Sequence, residues 1–136
     1  MKKVVTVIAM LAVLLIGATI AANAFTMAEK VVVSNKLVLI ARAPAGGFSA
    51  EERIAQVNYR LAPILGYEVL TPDNIRLARK GGELGIYVGD KLLTTVTKAD
   101  AIANGTTVEG LAHTWLRNAR RALPEARPYA NIYIAS

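Results

Sequence analysis

Twice along this 136-residue chain a stretch of β-branched and aliphatic residues is divided by a two-residue turn and then followed by a capping signal and an amphipathic helix pattern. Between Lys30 and Ala41 the run VVVSNKLVLIA is split by Ser34-Asn35 and reads as a β-hairpin. Pro44-Ala45-Gly46-Gly47 breaks the strand, and Ser49-Ala50-Glu51-Glu52 offers a capping box, so a helix is expected to start there. Ile54, Val57, Leu61, Ile64 and Leu65 follow at helical spacing, with Arg53, Gln56 and Arg60 assigned to the opposite, polar side. Pro63 predicts a kink or a shortened last turn, and Gly66 a stop.

The second half repeats the plan. Thr71-Pro72-Asp73-Asn74 is a turn, Ile75 to Arg79 alternates as a half-buried strand, and Lys80-Gly81-Gly82-Glu83 reverses the chain. Leu84 to Val88 and Lys91 to Thr97 form a hairpin around Gly89-Asp90. Thr97 and Asp100 can cap a short helical turn, and Thr106 with Glu109 offers a second capping box. A helix then carries Val108, Leu111, Ala112, Trp115, Ala119 and Leu123 as its apolar stripe, with His113, Arg117, Arg120 and Arg121 off it and Pro124 ending it. Asn131 to Ala135 is a candidate last edge strand. Val33-Ser34-Asn35-Lys36-Leu37 lines up with Val88-Gly89-Asp90-Lys91-Leu92, which suggests an internal duplication. The expected fold is α+β: two β-hairpin–helix units in ββα-β-ββα order, sharing one mainly antiparallel sheet with both helices on one face.

The start of the chain reads as a separate element. Lys2 and Lys3 precede an apolar stretch from Val4 to Ile20, and Ala22-Asn23-Ala24 puts small residues where a signal peptidase reads, so residues 1–24 are expected to be a secretory signal cleaved before Phe25. An uncleaved anchor competes with that reading, although a 17-residue helix is only about 26 Å long against a hydrocarbon core of about 30 Å. Either way the remaining chain is exported, to the periplasm or the outside, which disfavours cytosolic nucleotide chemistry and nucleic-acid partners. Setting aside the first 24 of 136 residues leaves 112 (25–136), enough for one domain. Cysteine is absent, which excludes disulfides, thiolate metal sites and cysteine nucleophiles. The chain carries 16 Lys+Arg against 10 Asp+Glu, and Lys2 and Lys3 leave with the leader, so the domain has a modest excess of four positive charges. That excess favours weak attraction to anionic surfaces.

The stretch Ile86-Tyr87-Val88-Gly89-Asp90-Lys91-Leu92-Leu93-Thr94-Thr95-Val96-Thr97-Lys98-Ala99-Asp100-Ala101, followed by Gly105 and then Glu109, Leu111, Ala112 and Trp115, resembles the extracytoplasmic N-terminal domain of some bacterial small-conductance mechanosensitive channel-like proteins. Gly47, Ser49, Ala50, Glu52 and Arg53, with Arg60-Leu61, resemble that domain's first helix. The likeness covers roughly residues 31 to 123. The channel's membrane helices and cytoplasmic portion have no counterpart here, so the resemblance implies a shared exported module in a bacterial envelope rather than conduction.

Reactive side chains are few. His113 is the sole histidine and falls on a polar helix face; a serine triad would need it beside Ser34, Ser49 or Ser136. Asp90, Asp100 and Glu109 are the best candidates for an acid/base pair, though a turn and two caps account for them. Gly46-Gly47 and Gly81-Gly82 lack the residues of phosphate-binding loops and read as turns. Asn104-Gly105-Thr106 matches a glycosylation acceptor, with capping as the simpler role for Thr106. Trp115 reads as core. Neither metal nor cofactor is expected.

Two basic groups are the binding candidates: Arg76, Arg79, Lys80 and Lys91 around the central hairpin, and Arg117, Arg120, Arg121 and Arg127 at the end of the second helix. The expected function is therefore a non-catalytic exported envelope domain that binds a protein partner, a second copy through its strand edges, or an anionic cell-surface component. The alternatives are a small exported hydrolase using the carboxylates or His113, which requires those side chains to converge within about 10 Å, and a membrane-tethered structural protein that keeps its leader.

Overall fold

The structure is a computed structural model and describes residues 29–126. The leader, Arg127, Ser136 and the Asn131 to Ala135 strand lie outside the described residues. Among the described residues are five strands and three helices: β1 (Glu29–Val33), β2 (Lys36–Ala41), α1 (Ala50–Tyr67), β3 (Ile75–Lys80), β4 (Glu83–Val88), β5 (Lys91–Val96), α2 (Lys98–Ala103) and α3 (Val108–Ala122), with single 3₁₀ turns at Pro72–Asn74 and Leu123–Ala126. The class is α+β.

All three hairpins turn on two residues, Ser34-Asn35, Gly81-Gly82 and Gly89-Asp90. Ser34 and Asn35 both have positive φ, at 52° and 59°, the signature of a type I′ turn whose twist suits the flanking strands. Serine fills a left-handed position at a cost of about 1 kcal/mol, so changing Ser34-Asn35 to Asn-Gly is expected to stabilise the domain by about 1 kcal/mol. Urea denaturation would show a higher midpoint at unchanged slope; an unchanged midpoint would contradict the turn assignment.

The β1–β2 and β4–β5 hairpins each carry one bulge, the β3–β4 register running unbroken, and the two bulges correspond. In β1–β2 the register passes from Val32↔Leu37 to Val31↔Leu39, leaving Val38 as the extra residue. In β4–β5 it passes from Tyr87↔Leu92 to Ile86↔Thr94, leaving Leu93 extra. A bulge lets neighbouring residues face the same side, which is why Val38 and Leu39, and again Leu93 and Thr94, are buried in succession. Val33↔Lys36 and Val32↔Leu37 recur as Val88↔Lys91 and Tyr87↔Leu92, each displaced by 55 residues. At the same displacement Val57, Leu61 and Ile64 of α1 match Ala112, Leu116 and Ala119 of α3, all buried. A shared register, bulge and helix face support internal duplication far better than a five-residue match.

The two units do not share one sheet. β1–β2 and β3–β4–β5 form separate antiparallel sheets, and the helices lie between them: α1 packs on β1, β2 and β5, while α3 packs on β2 and on all three strands of the larger sheet. Side chains of these helices also reach strand carbonyls. Asn118 Nδ2 on α3 donates to the Val38 carbonyl of β2 (3.2 Å), Arg120 Nε donates to the Ile75 carbonyl of β3 (2.8 Å), and Arg60 Nη1 on α1 donates to the Leu93 carbonyl of β5 (3.4 Å). One carbonyl on each of β2, β3 and β5 is thus satisfied by a helix side chain. Val38 and Leu93 are the two bulge residues, so each unit's helix satisfies the bulge of the other unit.

Capping decides the helix starts. Ser49 Oγ accepts the Glu52 N–H (3.1 Å) and the Glu52 carboxylate accepts the Ser49 N–H (2.8 Å), completing the expected box. Thr97 and Asp100 form the same box for α2. The third differs by one residue: Thr107, not Thr106, caps α3 by accepting the Gly110 N–H (3.0 Å), and Glu109 is left free to reach Arg79. Pro63 does not end α1, which continues through Gly66 to Tyr67. The carbonyl deprived of its donor is that of Tyr59, one turn earlier, on a residue that is largely exposed and can be served by water. One apolar core joins all layers, with Ile64, Ile75, Ile86, Leu93 and Leu123 inaccessible and Trp115 at 3% exposure.

Candidate functional site

The two candidate basic groups meet different fates. Around the central hairpin every cation is engaged: Arg76 Nη2 donates to the Gly89 carbonyl (3.0 Å) and approaches Asp90 (3.5 Å), Arg79 bonds the Gly82 carbonyl (3.1 Å) and Glu109 (3.4 Å), Lys80 lies 4.4 Å from the centre of the Tyr87 ring, and Lys91 faces Glu68 at 3.7 Å. These contacts are exposed and individually weak, but they tie the cations to turns of their own sheet and to carboxylates in the β4–β5 turn, just past α1 and on α3. On α3, Arg120 is half-buried on the β3 edge. Arg117 and Arg121 are exposed and donate only to neutral groups, Thr114 Oγ1 (3.2 Å) and Asn118 Oδ1 (3.1 Å). Their charges meet no carboxylate among the described residues.

The carboxylate candidates separate. Ile75↔Val88 and Lys80↔Glu83 fix the ends of the larger sheet, so Asp90, in the β4–β5 turn, lies a strand length, about 17–20 Å, from the end that holds Glu109 and Asp100. Asp100 is fully buried. It forms a paired contact with Arg53, Nη1 to Oδ1 at 2.6 Å and Nη2 to Oδ2 at 2.7 Å, while its Oδ2 also accepts from the Thr97 N–H (3.0 Å) and hydroxyl (2.8 Å). Arg53 additionally donates to the Ala43 carbonyl (2.8 Å) and is 9% exposed, correcting its placement on the solvent side of α1. The signal was available: Arg53 precedes Val57 by four residues and so falls on the buried stripe. His113 is exposed on α3, Ser34 is in the first turn and Ser49 is a cap. Asn104 is likewise occupied, its amide donating to the Asp100 carbonyl (2.8 Å) and its oxygen accepting from Arg42 (3.1 Å). No group of three or more His, Asp or Glu among the described residues is placed to hold a metal ion.

The helix exchange between units leaves two grooves at corresponding places, each where one unit's helix passes the other unit's bulged strand. Between α3 and β2 lies a cavity of about 290 Å³ lined by Lys36, Leu37, Asn118 and Arg121. Lys36 pairs with Glu125, so Arg121 supplies the groove's uncompensated charge. Beside it Leu37 and its cross-strand partner Val32 are 40% and 48% exposed. Between α1 and β5 lies a cavity of about 250 Å³ lined by Phe48, Gln56, Arg60, Glu83 and Thr95, among others. Leu37 and Leu92, again 55 residues apart, line the respective grooves.

A family described as a domain of unknown function, DUF8459, matches residues 30–126. The chain belongs to this family. No curated protein matches it, and no solved structure does. The matched span takes in all three hairpins, all three helices and the residues that line both grooves. No helix among the described residues is long and apolar enough to cross a membrane. Neither Gln56, Phe48 nor Thr95 was singled out from the sequence, because a groove between units separated by 40 residues or so has no local pattern to betray it.

Proposed function

We propose that this is a non-catalytic binding domain of the bacterial envelope, exported by its leader and acting through contact with a phosphate-bearing anionic surface. The observation that carries the reading is the pair Arg117 and Arg121, one helical turn apart on α3, exposed and without an acidic partner among the described residues. Leu37 and Val32 place apolar surface next to Arg121, a combination suited to a headgroup layer, where cations meet phosphate and short aliphatic side chains enter its margin. Export rests on the pattern of residues 1–24, and the resemblance to the extracytoplasmic domain of mechanosensitive channel-like proteins favours the same compartment. The wide separation of Asp90 from Glu109, and the commitment of Asp100 to Arg53, speak for binding over hydrolysis.

Co-sedimentation with vesicles tests the reading. Vesicles containing anionic phospholipid are expected to retain the full chain at low salt and to release it as ionic strength rises, and Arg117→Glu with Arg121→Glu should abolish retention, each cation contributing about 1 kcal/mol. Equal retention on purely zwitterionic vesicles, or retention indifferent to both charge reversals, would refute it. A protein partner is the second reading, favoured by Tyr59 and Tyr67 on α1, each 84% exposed, since large exposed aromatics are enriched at interfaces. Photo-crosslinking from position 59 would then trap a partner, and Tyr59→Ser would lose it.

A further inference from the structure

The groove between α1 and β5 is unlike its counterpart in one respect: its charges balance. Arg53 is neutralised by Asp100, and the remaining ions are one cation, Arg60, and one carboxylate, Glu83. Glu83, the Gln56 amide and the Thr95 hydroxyl have no side-chain partner among the described residues, and Arg60 has a single long bond, to the Leu93 carbonyl at 3.4 Å. The groove thus offers donors and acceptors in comparable number, from planar or hydroxyl groups, with no net charge. Phe48 lines it too, with 45% of its surface exposed, and its position is pre-set. Ala45 and Phe48 exchange two backbone hydrogen bonds (3.0 and 3.1 Å) around Gly46 and Gly47, whose φ values of 61° and 82° form a tight turn that glycine alone enters without strain.

We propose that this groove binds one neutral pyranose unit of a glycan. Sugar hydroxyls donate and accept at once, as Gln56 and Thr95 do. Adjacent hydroxyls fit the parallel atoms of a guanidinium or carboxylate. The C–H face of the ring matches an exposed phenyl ring. A volume of about 250 Å³ falls just below the range of about 300–1,000 Å³ that encloses drug-sized ligands, which suits a single ring. An extended peptide is disfavoured because the Leu93 carbonyl of β5 already accepts from Arg60 and the N–H of Thr97, just past β5, is taken by Asp100. An anion is disfavoured by Glu83 and by the neutralisation of Arg53.

The test is an NMR titration of the full chain with the methyl glycosides of glucose, galactose, mannose and N-acetylglucosamine, alongside trialanine and inorganic phosphate. At least one glycoside is expected to shift the amide signals of Phe48, Gln56, Arg60 and Thr95 with a dissociation constant of about 1 mM. Phe48→Ala and Gln56→Ala, both outside the core, are each expected to weaken binding about tenfold without changing the melting temperature. The inference is overturned if none of the four shifts these signals at about 20 mM, if both variants bind unchanged, or if trialanine or phosphate moves the same signals more tightly. Charge reversal at Arg117 and Arg121 leaves glycoside binding intact, so this inference and the proposed function fail separately.

Discussion

Asp100→Ala is expected to destabilise the domain by about 3–5 kcal/mol, because it leaves the Arg53 guanidinium buried without its counter-ion. The same change removes the acceptor of the Thr97 N–H and with it one half of the α2 capping box. For a domain of this size about 1 kcal/mol corresponds to 4–8 °C in melting temperature, so thermal unfolding followed by circular dichroism should move down by about 12–40 °C. Arg53→Met alone should cost less, since Asp100 keeps its bonds to Thr97. The double variant should lose clearly less than the sum of the two, with a coupling of about 1–3 kcal/mol. Additive losses would mean that the paired contact is incidental. The pair matters because it joins three segments that are distant in sequence: the exit from β2 through the Ala43 carbonyl, the first turn of α1, and the cap of α2.

Trp115→Ala is expected to cost a comparable amount, about 3–5 kcal/mol, for a different reason. α3 contacts strands of both sheets, and Trp115 is the one aromatic on its buried face, where Ala112, Ala119 and Ala122 let the helix come close. Its loss opens a void at the layer where the two sheets meet through the helix. Trp115→Phe, which fills most of that volume, should cost less than about 1.5 kcal/mol. A loss below about 1 kcal/mol for the alanine variant would show that α3 is not the joint between the sheets.

Much of the local structure was legible in the amino acids. The Ser34-Asn35 and Gly89-Asp90 turns, the Ser49 and Thr97 boxes, and the stripe through Trp115 depend on residues within one turn of each other, and steric preference and short-range hydrogen bonding settle such matters before any tertiary contact forms. The off-by-one start of α3 shows the limit: Thr106 and Thr107 are both competent caps, and the choice falls to Thr107 while Glu109 turns to Arg79, a contact across 30 residues. Arg53 is a sharper case. Its charge argued for solvent, its spacing for the core, and Asp100, 47 residues on, reconciles the two.

From the order of residues alone follow the α+β class, the two hairpins with their turns, two of the three caps, and the hint of duplication. What needed the folded chain was long-range: that two sheets form with the helices between them, that Arg117 and Arg121 meet only neutral groups while three of the hairpin cations reach carboxylates, and that each unit's helix serves the other's bulge. Turns and caps are written in neighbouring residues, whereas an edge carbonyl's partner, a charge's neutralisation and a groove's lining are set by whichever side chains the whole packing brings alongside.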